Sequence, residues 1–424
     1  MSELLLAAAS LDVTPPPGHR LDGYSAREGL ATGTADPLRA TLIWLSTEGS
    51  PGVLWLSLDA IAAGTALTAE LAAAAGAAAG IPPECVLVCA SHTHSAPSGW
   101  TGQIHPVIPS LREPSLYEPL IAAVAATPLD RHPVRASWRS IEVIGVGTNR
   151  HHRDGPHDNT AGVLALRSAI DDTLRAVLLD FACHPTTYGP ENLLYSADWP
   201  GATRTALAHL AAAGTRSEPV VGYLQGAAGD VSPRFTRQGR GAPEVERLGS
   251  LLAARVAEAL TAPGLDLPSV APTIHRATVS LKVRDLPTPA ELAAVINTAE
   301  AGLHGSLDDP AHRIAQTRLD GARGQSLMAA ARLPAALDLP ISVARLGDVT
   351  WVHLPVELFA THGRQLQTES PHPITRVIGY TDGYFGYVVD PDAAHRGTYE
   401  ALITYFDQPT TTQLLTAATA LLTR

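Results

Sequence analysis

The sequence predicts an α/β protein in which mixed sheets are flanked by helices in layers, with a metal site at the carboxyl ends of strands. Three observations predict it. Short runs rich in valine, leucine and isoleucine alternate along the chain with longer stretches of 3.6-residue apolar period. Hydrophobic residues make up 45% of the 424 positions and charged residues 17%, which supplies a sizeable core and excludes disorder. The histidines and the glycine cluster that stand out each follow an apolar run directly, where α/β folds open their ligand crevices.

The apolar segment Leu4–Ala9 follows Glu3 rather than a basic stretch and runs into Asp12 and prolines, so it reads as a first strand and not as a signal peptide. Val53–Asp59, the alanine-rich Thr65–Ala79 and Val86–Ala90 predict a strand–helix–strand unit with parallel pairing. A polar, proline-bearing loop is expected from Ser95 to Pro114. Strands are predicted at Arg135–Gly145, Ala161–Arg167 and Leu174–Cys183, then a helix after Pro200, a strand at Val220–Leu224 and a helix at Glu244–Leu260. The proline-rich stretch Gly264–Thr273 is the candidate sub-boundary in what otherwise reads as one catalytic domain over residues 1–424. Beyond it the pattern predicts a strand Thr273–Val283, helices in Ala290–Leu303 and Ala311–Arg332, and strands Ile341–Leu346 and Val349–His353. A helix from Val356, a strand Thr375–Ile378 and a last helix Thr410–Leu422 complete the order.

Asp and Glu number 41 against 30 Lys and Arg, and Lys282 is the sole lysine. With no basic run in the chain, nucleic acid is excluded as a partner, and the net charge of −11 is assigned to solubility. The apolar stretch Ile61–Ile81 is interrupted by Thr65, Thr68, Glu70 and glycines, so no transmembrane segment is predicted. Cys85, Cys89 and Cys183 lack zinc-knuckle spacing, and an odd count without a secretory signal predicts reduced thiols in the cytoplasm.

Four short motifs carry chemistry. In Ser91-His92-Thr93-His94-Ser95, histidines at i and i+2 of an extended chain would point to one side. His184, in Phe181-Ala-Cys-His-Pro, stands just past a strand that Pro185 stops. Gly226-Ala-Ala-Gly-Asp-Val-Ser-Pro-Arg234 lets backbone approach a ligand closely and would aim Ser232 or backbone N–H groups at it. Glu357, in His353-Leu-Pro-Val-Glu, is expected in the first turn of a helix. Taken singly, each has an ordinary explanation: a backbone-satisfied histidine, a plain turn, a capping carboxylate. Together they assemble imidazoles and a carboxylate, the ligand set of zinc hydrolases that leave one position open.

These residues also carry a resemblance. SHTHSAPSGW, Asn149-Arg150, FACHPT with SADWPG after it, GDVSPR, LPVE and the tyrosine segment ending in TYE occur in this order, after an opening with Asp12-Val-Thr-Pro and Gly23-Tyr24-Ser25. The chain resembles the catalytic domain of the neutral/alkaline non-lysosomal ceramidase family from about Leu6 to Tyr405. The resemblance implies one Zn²⁺ per chain, held by His92, His184, Glu357 and Tyr387. It further implies that His94, Arg150, Ser232 and Tyr399 surround the scissile amide, and that the Gly23 backbone borders the substrate head. Asp59 and Asp198 are expected behind the site, whereas Tyr380 and Tyr384 are assigned to packing. The loop Thr101–Tyr117, with Trp100 before it, is expected to frame the acyl or amine pocket.

The family's secreted members carry an additional immunoglobulin-like carboxyl-terminal domain, which this chain is expected to lack. Its text before GDVSP is Gly-Ala-Ala where the family has asparagine, and aromatics are only 5% of the residues. No amphipathic stripe for a membrane surface is legible. The expectation is therefore a zinc amidohydrolase acting by metal-activated water on a linear amide: an N-acyl amine or related small-molecule or lipid-like amide, with ceramide among the candidates. Two alternatives stand beside it: a serine-nucleophile amidase or esterase using Ser232, and a non-catalytic metal-containing binding protein.

Overall fold

A computed structural model describes residues 3–102, 104–108, 111–212, 217–301, 303 and 310–424. Parts of the Thr101–Tyr117 loop and the end of the predicted Ala290–Leu303 helix lie outside the described residues.

The first sheet is built from β1 (Leu4–Asp12), β2 (Arg39–Thr47), β3 (Ser50–Leu58), β4 (Val86–Ala90), β5 (His132–Glu142), β6 (Thr160–Ser168), β7 (Leu174–Phe181) and β8 (Val220–Gln225). Their order across the sheet is β8-β7-β6-β5-β1-β2-β3-β4, and the short strand Leu265–Asp266 adds to β5. Interior pairs are antiparallel, whereas β3–β4 and β7–β8 at the two ends are parallel. The sheet curls until these two ends meet: Ser57 Oγ–H donates to Tyr223 O, and Gln225 Nε2–H donates to Ser91 O at 3.2 Å and to Cys183 O at 2.8 Å. That closure brings the exits of β4 and β7, which lead to His92 and His184, side by side.

The second sheet runs β9 (Thr273–Lys282), β10 (Ala336–Leu346), β11 (Val349–His353), β12 (Ile374–Ile378), with only β11–β12 parallel. The two sheets pack face to face. Alternation along the strands explains the layering. Leu164, Leu166 and Leu178 of the first sheet meet Ala344, Leu346 and Trp351 of the second, with Trp351 edge-on to Trp55 and Trp138. The intervening Val163, Ala165 and Val177 face the other way, under α3 (Asp198–Ala211) and α4 (Ala242–Leu260). The rest of that outer face is covered by α1 (Thr65–Ala79) and α2 (Pro114–Ala125). On the far side Ile341, Val343 and Val352 pack with Met328, Leu366 and Leu414 of α6 (Pro310–Ala330), α7 (Ala360–Glu369) and α8 (Gln408–Leu422), and α5 (Pro289–Ala301) lies against α6. The result is four layers, helix–sheet–sheet–helix, in agreement with the predicted class of mixed sheets flanked by helices.

The structure departs locally from the predicted elements in two respects. β2 and α2 fall in segments where no element was predicted; Pro119 inside α2 masks its helical pattern. No helix starts at Val356. Glu357–Leu358 is a short strand paired in parallel with Tyr387–Val388, because Glu357 N–H and Phe359 N–H donate to Gly386 O and Val388 O, and the helix begins at Ala360. The stretch Gly264–Thr273 carries the chain from the first sheet to the second, pairing with β5 on the way.

Candidate metal centre

His92 follows β4, but not as extended chain: its φ is +66°. The left-handed residue replaces the expected strand alternation, and the imidazoles still converge, with Nε2 of His92 and His94 3.3 Å apart. His184 follows β7, and its Nε2 joins them; the ligating nitrogens of His92, His94 and His184 all lie within 4.8 Å of one another and are able to hold a metal ion.

The other ring nitrogens determine what these three present. His92 Nδ1 lies 2.7 Å from Ile61 O, and His184 Nδ1 lies 2.6 Å from Ala228 O. A carbonyl can only accept, so both Nδ1 atoms carry the proton and both Nε2 atoms turn a lone pair inward. Glu357 Oε2 sits 3.3 Å from His92 Nε2 and 3.1 Å from His184 Nε2. Two lone pairs and a carboxylate thus meet in a site whose three residues are almost fully buried. Such a set repels itself unless a cation is shared among its members, so the donors fit a metal ion.

Electrostatics agree. Burial opposes ionisation of Glu357, and the positive charge that His92 and His184 would carry on protonation lowers its carboxyl well below the usual range, the direction that a shared cation also favours. Burial and then Arg150 push His184 down to about 4, and burial with the neighbouring imidazoles takes His94 well below its ordinary value. Tyr387 is paired to Glu357 through the backbone; burial first, and the Glu357 charge second, keep its phenol protonated well above 10. The Arg150 guanidinium donates from Nη2 to Tyr387 Oη at 3.2 Å and from Nη1 toward His184 Nε2 at 3.4 Å.

Sequence reasoning missed two contributors. Tyr384 Oη–H donates to Glu357 Oε1, and Tyr380 Oη–H donates to Glu357 Oε2 at 3.3 Å, with the Tyr380 ring 4.2 Å from that of His92. The sequence alone assigns both to packing. Their spacing of four residues and the positive φ of Tyr380 and Asp382 mark a turn that only the tertiary structure aims at Glu357.

Backbone carbonyls of the Gly226–Arg234 segment receive groups of the site. Ala228 O and Val231 O receive His184, and Asp230 O receives Arg150 N–H at 2.7 Å. Asp230 also ties Asn149 Nδ2 (2.6 Å) to Ala360 N–H at the start of α7 (2.7 Å). A Cβ on Gly229 would lie 2.5 Å from Glu357 O, so only glycine allows this approach. Ser232 Oγ accepts from Arg234 N–H at 3.3 Å, and among the described residues no hydrogen bond links it to an imidazole. Gly23 lies against His94, where a Cβ would stand 2.5 Å from His94 Cβ and Cγ. Tyr399 is within electrostatic range of Glu357 and Arg150. Trp100 is packed inside the apolar cluster with α1 and α2, and no ring contact among the described residues joins it to the histidines. Asp198 accepts from Thr187, Tyr188 and Trp199 amides, and Trp199 Nε1–H donates to His184 O; Asp59 pairs with Arg204.

No family model and no curated protein matches the chain. Solved structures do. Neutral ceramidase from Pseudomonas aeruginosa superposes with a TM-score of 0.77 at 18% identity, and a ceramidase complexed with C2 gives 0.77 at 16%; each comparison covers 100% of this chain and 75% of the other. At this identity the likeness establishes a shared fold, in agreement with the resemblance carried by the motifs. Among the described residues no helix is long and apolar enough to cross a membrane.

Proposed function

We propose that the protein is a zinc-dependent amidohydrolase that cleaves a linear amide, an N-acyl amine or a related small-molecule or lipid-like amide, with ceramide as one candidate. His92, His184, Glu357 and Tyr387 hold the metal in this reading. The observation that carries it is the pair of backbone-fixed imidazoles whose Nε2 lone pairs face Glu357 Oε2 at 3.3 and 3.1 Å. The ceramidase fold supports amide-bond hydrolysis as the reaction class.

When bound, Zn²⁺ supplies a hydroxide nucleophile at neutral pH and Lewis acidity toward the amide carbonyl. The chain's own residues supply the rest. Arg150 and Tyr399 donate to the oxyanion that develops as the carbonyl becomes tetrahedral, and removing one such donor typically costs on the order of a hundredfold in turnover. His94 is kept neutral by burial and, among the described residues, has no hydrogen bond to Glu357, which leaves it to move a proton to the leaving nitrogen. Ser232 orients the substrate through its hydroxyl, Trp100 backs the wall of the pocket, and the Gly23 backbone borders the substrate head. We read residues 1–424 as one catalytic unit. A cytoplasmic location is supported by three free, buried cysteines.

The test is elemental analysis of the purified protein together with release of amine from a panel of N-acyl amides that includes ceramide. About one zinc per chain, with hydrolysis lost on chelation and restored by Zn²⁺, is the expected result. Hydrolysis that survives chelation and acylates Ser232 would overturn it in favour of a serine mechanism. Metal without turnover on any amide would leave a binding protein.

A further inference from the structure

The carboxylate nearest Arg150 has no part in the scheme above, yet it is placed as carefully as the ligands. Glu400 opens a short helix, Tyr399–Ile403, whose amino terminus is capped by Thr398 Oγ1 accepting from Ala401 N–H. Its side chain is 4% exposed, and its Oε1 accepts from Arg150 Nε at 2.7 Å and Nη2 at 2.5 Å. Its Oε2 lies 3.3 Å from His151 Nε2. The His151 ring in turn lies 6.1 Å from that of Phe359, two residues from Glu357. Asn149 and Arg150 are therefore held by Asp230, through its carboxylate and its carbonyl respectively, and Arg150 and His151 face Glu400 on the other side.

A guanidinium 3.4 Å from His184 Nε2 is a cation placed beside a site built for a cation. Left alone it would be repelled by the metal, and its long side chain has rotamers that lead away. We propose that Glu400 is the positioning residue for Arg150: it pins two guanidinium N–H groups so that the remaining ones face Tyr387 and His184, and it offsets the Arg150 charge so that Glu357 stays available to the metal. His151 Nε2 stands 3.3 Å from the second carboxylate oxygen without a hydrogen bond to it. The kinetic part of this inference rests on the amidase reading; the metal-affinity part rests only on the ligand set.

The experiment is a double-mutant cycle between Glu400→Gln and Arg150→Ala, read by Zn²⁺ affinity against a chromophoric chelator and by kcat and KM for amide hydrolysis. Glu400→Gln keeps the shape and removes the charge. It is expected to weaken Zn²⁺ binding about tenfold and lower kcat about 10- to 100-fold, with KM nearly unchanged. Glu400→Asp recovers part of the loss. In the Arg150→Ala background, where no cation remains to be held or offset, Glu400→Gln changes either quantity by less than about threefold. Effects that multiply instead, or an unchanged zinc affinity in Glu400→Gln, overturn the proposal. If the wild-type protein hydrolyses no amide, the amidase reading fails and the zinc cycle alone decides. Thermal melting monitors folding; should Glu400→Gln unfold, Glu400→Asp, which keeps the charge but shortens its reach to Arg150, is expected to weaken zinc affinity by a smaller factor, and no shift there counts against the inference.

Discussion

Substituting Gly23 by alanine isolates a single contact. Gly23 has φ +102°, and a Cβ built there stands 2.5 Å from His94 Cβ and Cγ and 2.6 Å from Nδ1. Carbon atoms settle at about 3.5 Å or more, so one side must move by about 1 Å. His94 cannot retreat freely: Arg27 Nη1–H donates to its carbonyl at 2.7 Å and the Tyr24 ring lies 4.9 Å from its own. The backbone strain of a non-glycine residue at this φ adds about 1–3 kcal/mol, which a protein of this size tolerates. A displacement of about 1 Å at a proton-transfer group is expected to lower kcat on the order of a hundredfold. The assay is amine release by Gly23→Ala, with zinc content and thermal melting measured on the same preparation. A folded, zinc-loaded variant that hydrolyses amide within about threefold of wild type would refute the reasoning, since it would show that the position of His94 does not matter to the reaction.

Two further predictions concern groups that the motifs did not mark. Tyr384→Phe removes the hydroxyl that donates to Glu357 Oε1 and is expected to weaken Zn²⁺ affinity about 10- to 100-fold with little change in fold, measured by competitive chelation; unchanged affinity would return Tyr384 to a packing role. Asp22 is pushed up to about 7 by burial, which Arg27 only partly offsets. Its folded-state carboxyl binds a proton more tightly than the unfolded chain does, so stability falls as pH rises from 3.8 through about 7. Asp22→Asn removes a cost of up to about 4 kcal/mol above that window, and should raise the melting temperature at pH 8 while leaving it nearly unchanged at pH 4; equal effects at both would show that the carboxylate is not desolvated.

The strand exits were legible because apolar runs of β-branched residues and the polar residues that end them are local signals. Val86–Ala90 and Thr65–Ala79 occupy their predicted bounds, and His92 and His184 each follow a strand as their motifs implied, whereas Glu357 lies in a short strand instead of the first turn of a helix. The family resemblance, carried by motifs scattered from Asp12 to Tyr399, is matched by a shared fold over the whole chain. What the sequence by itself determined was therefore the layered α/β class and the residue types offered to a metal. Which atoms of those residues face inward was decided by tertiary structure. Ile61 O and Ala228 O, 31 and 44 positions from the histidines they receive, choose the tautomers. The curling of the first sheet brings β4 beside β8, and the pairing of Glu357 with Tyr387 replaces the helix expected from Val356. Tyr384 and Glu400 acquire their roles only because a turn and a short helix from the last third of the chain return to the ends of β4 and β7. The physical reason is that local periodicity reports which face of an element is apolar, whereas a buried polar group is satisfied by whichever partner the packing of distant elements brings within about 3 Å of it.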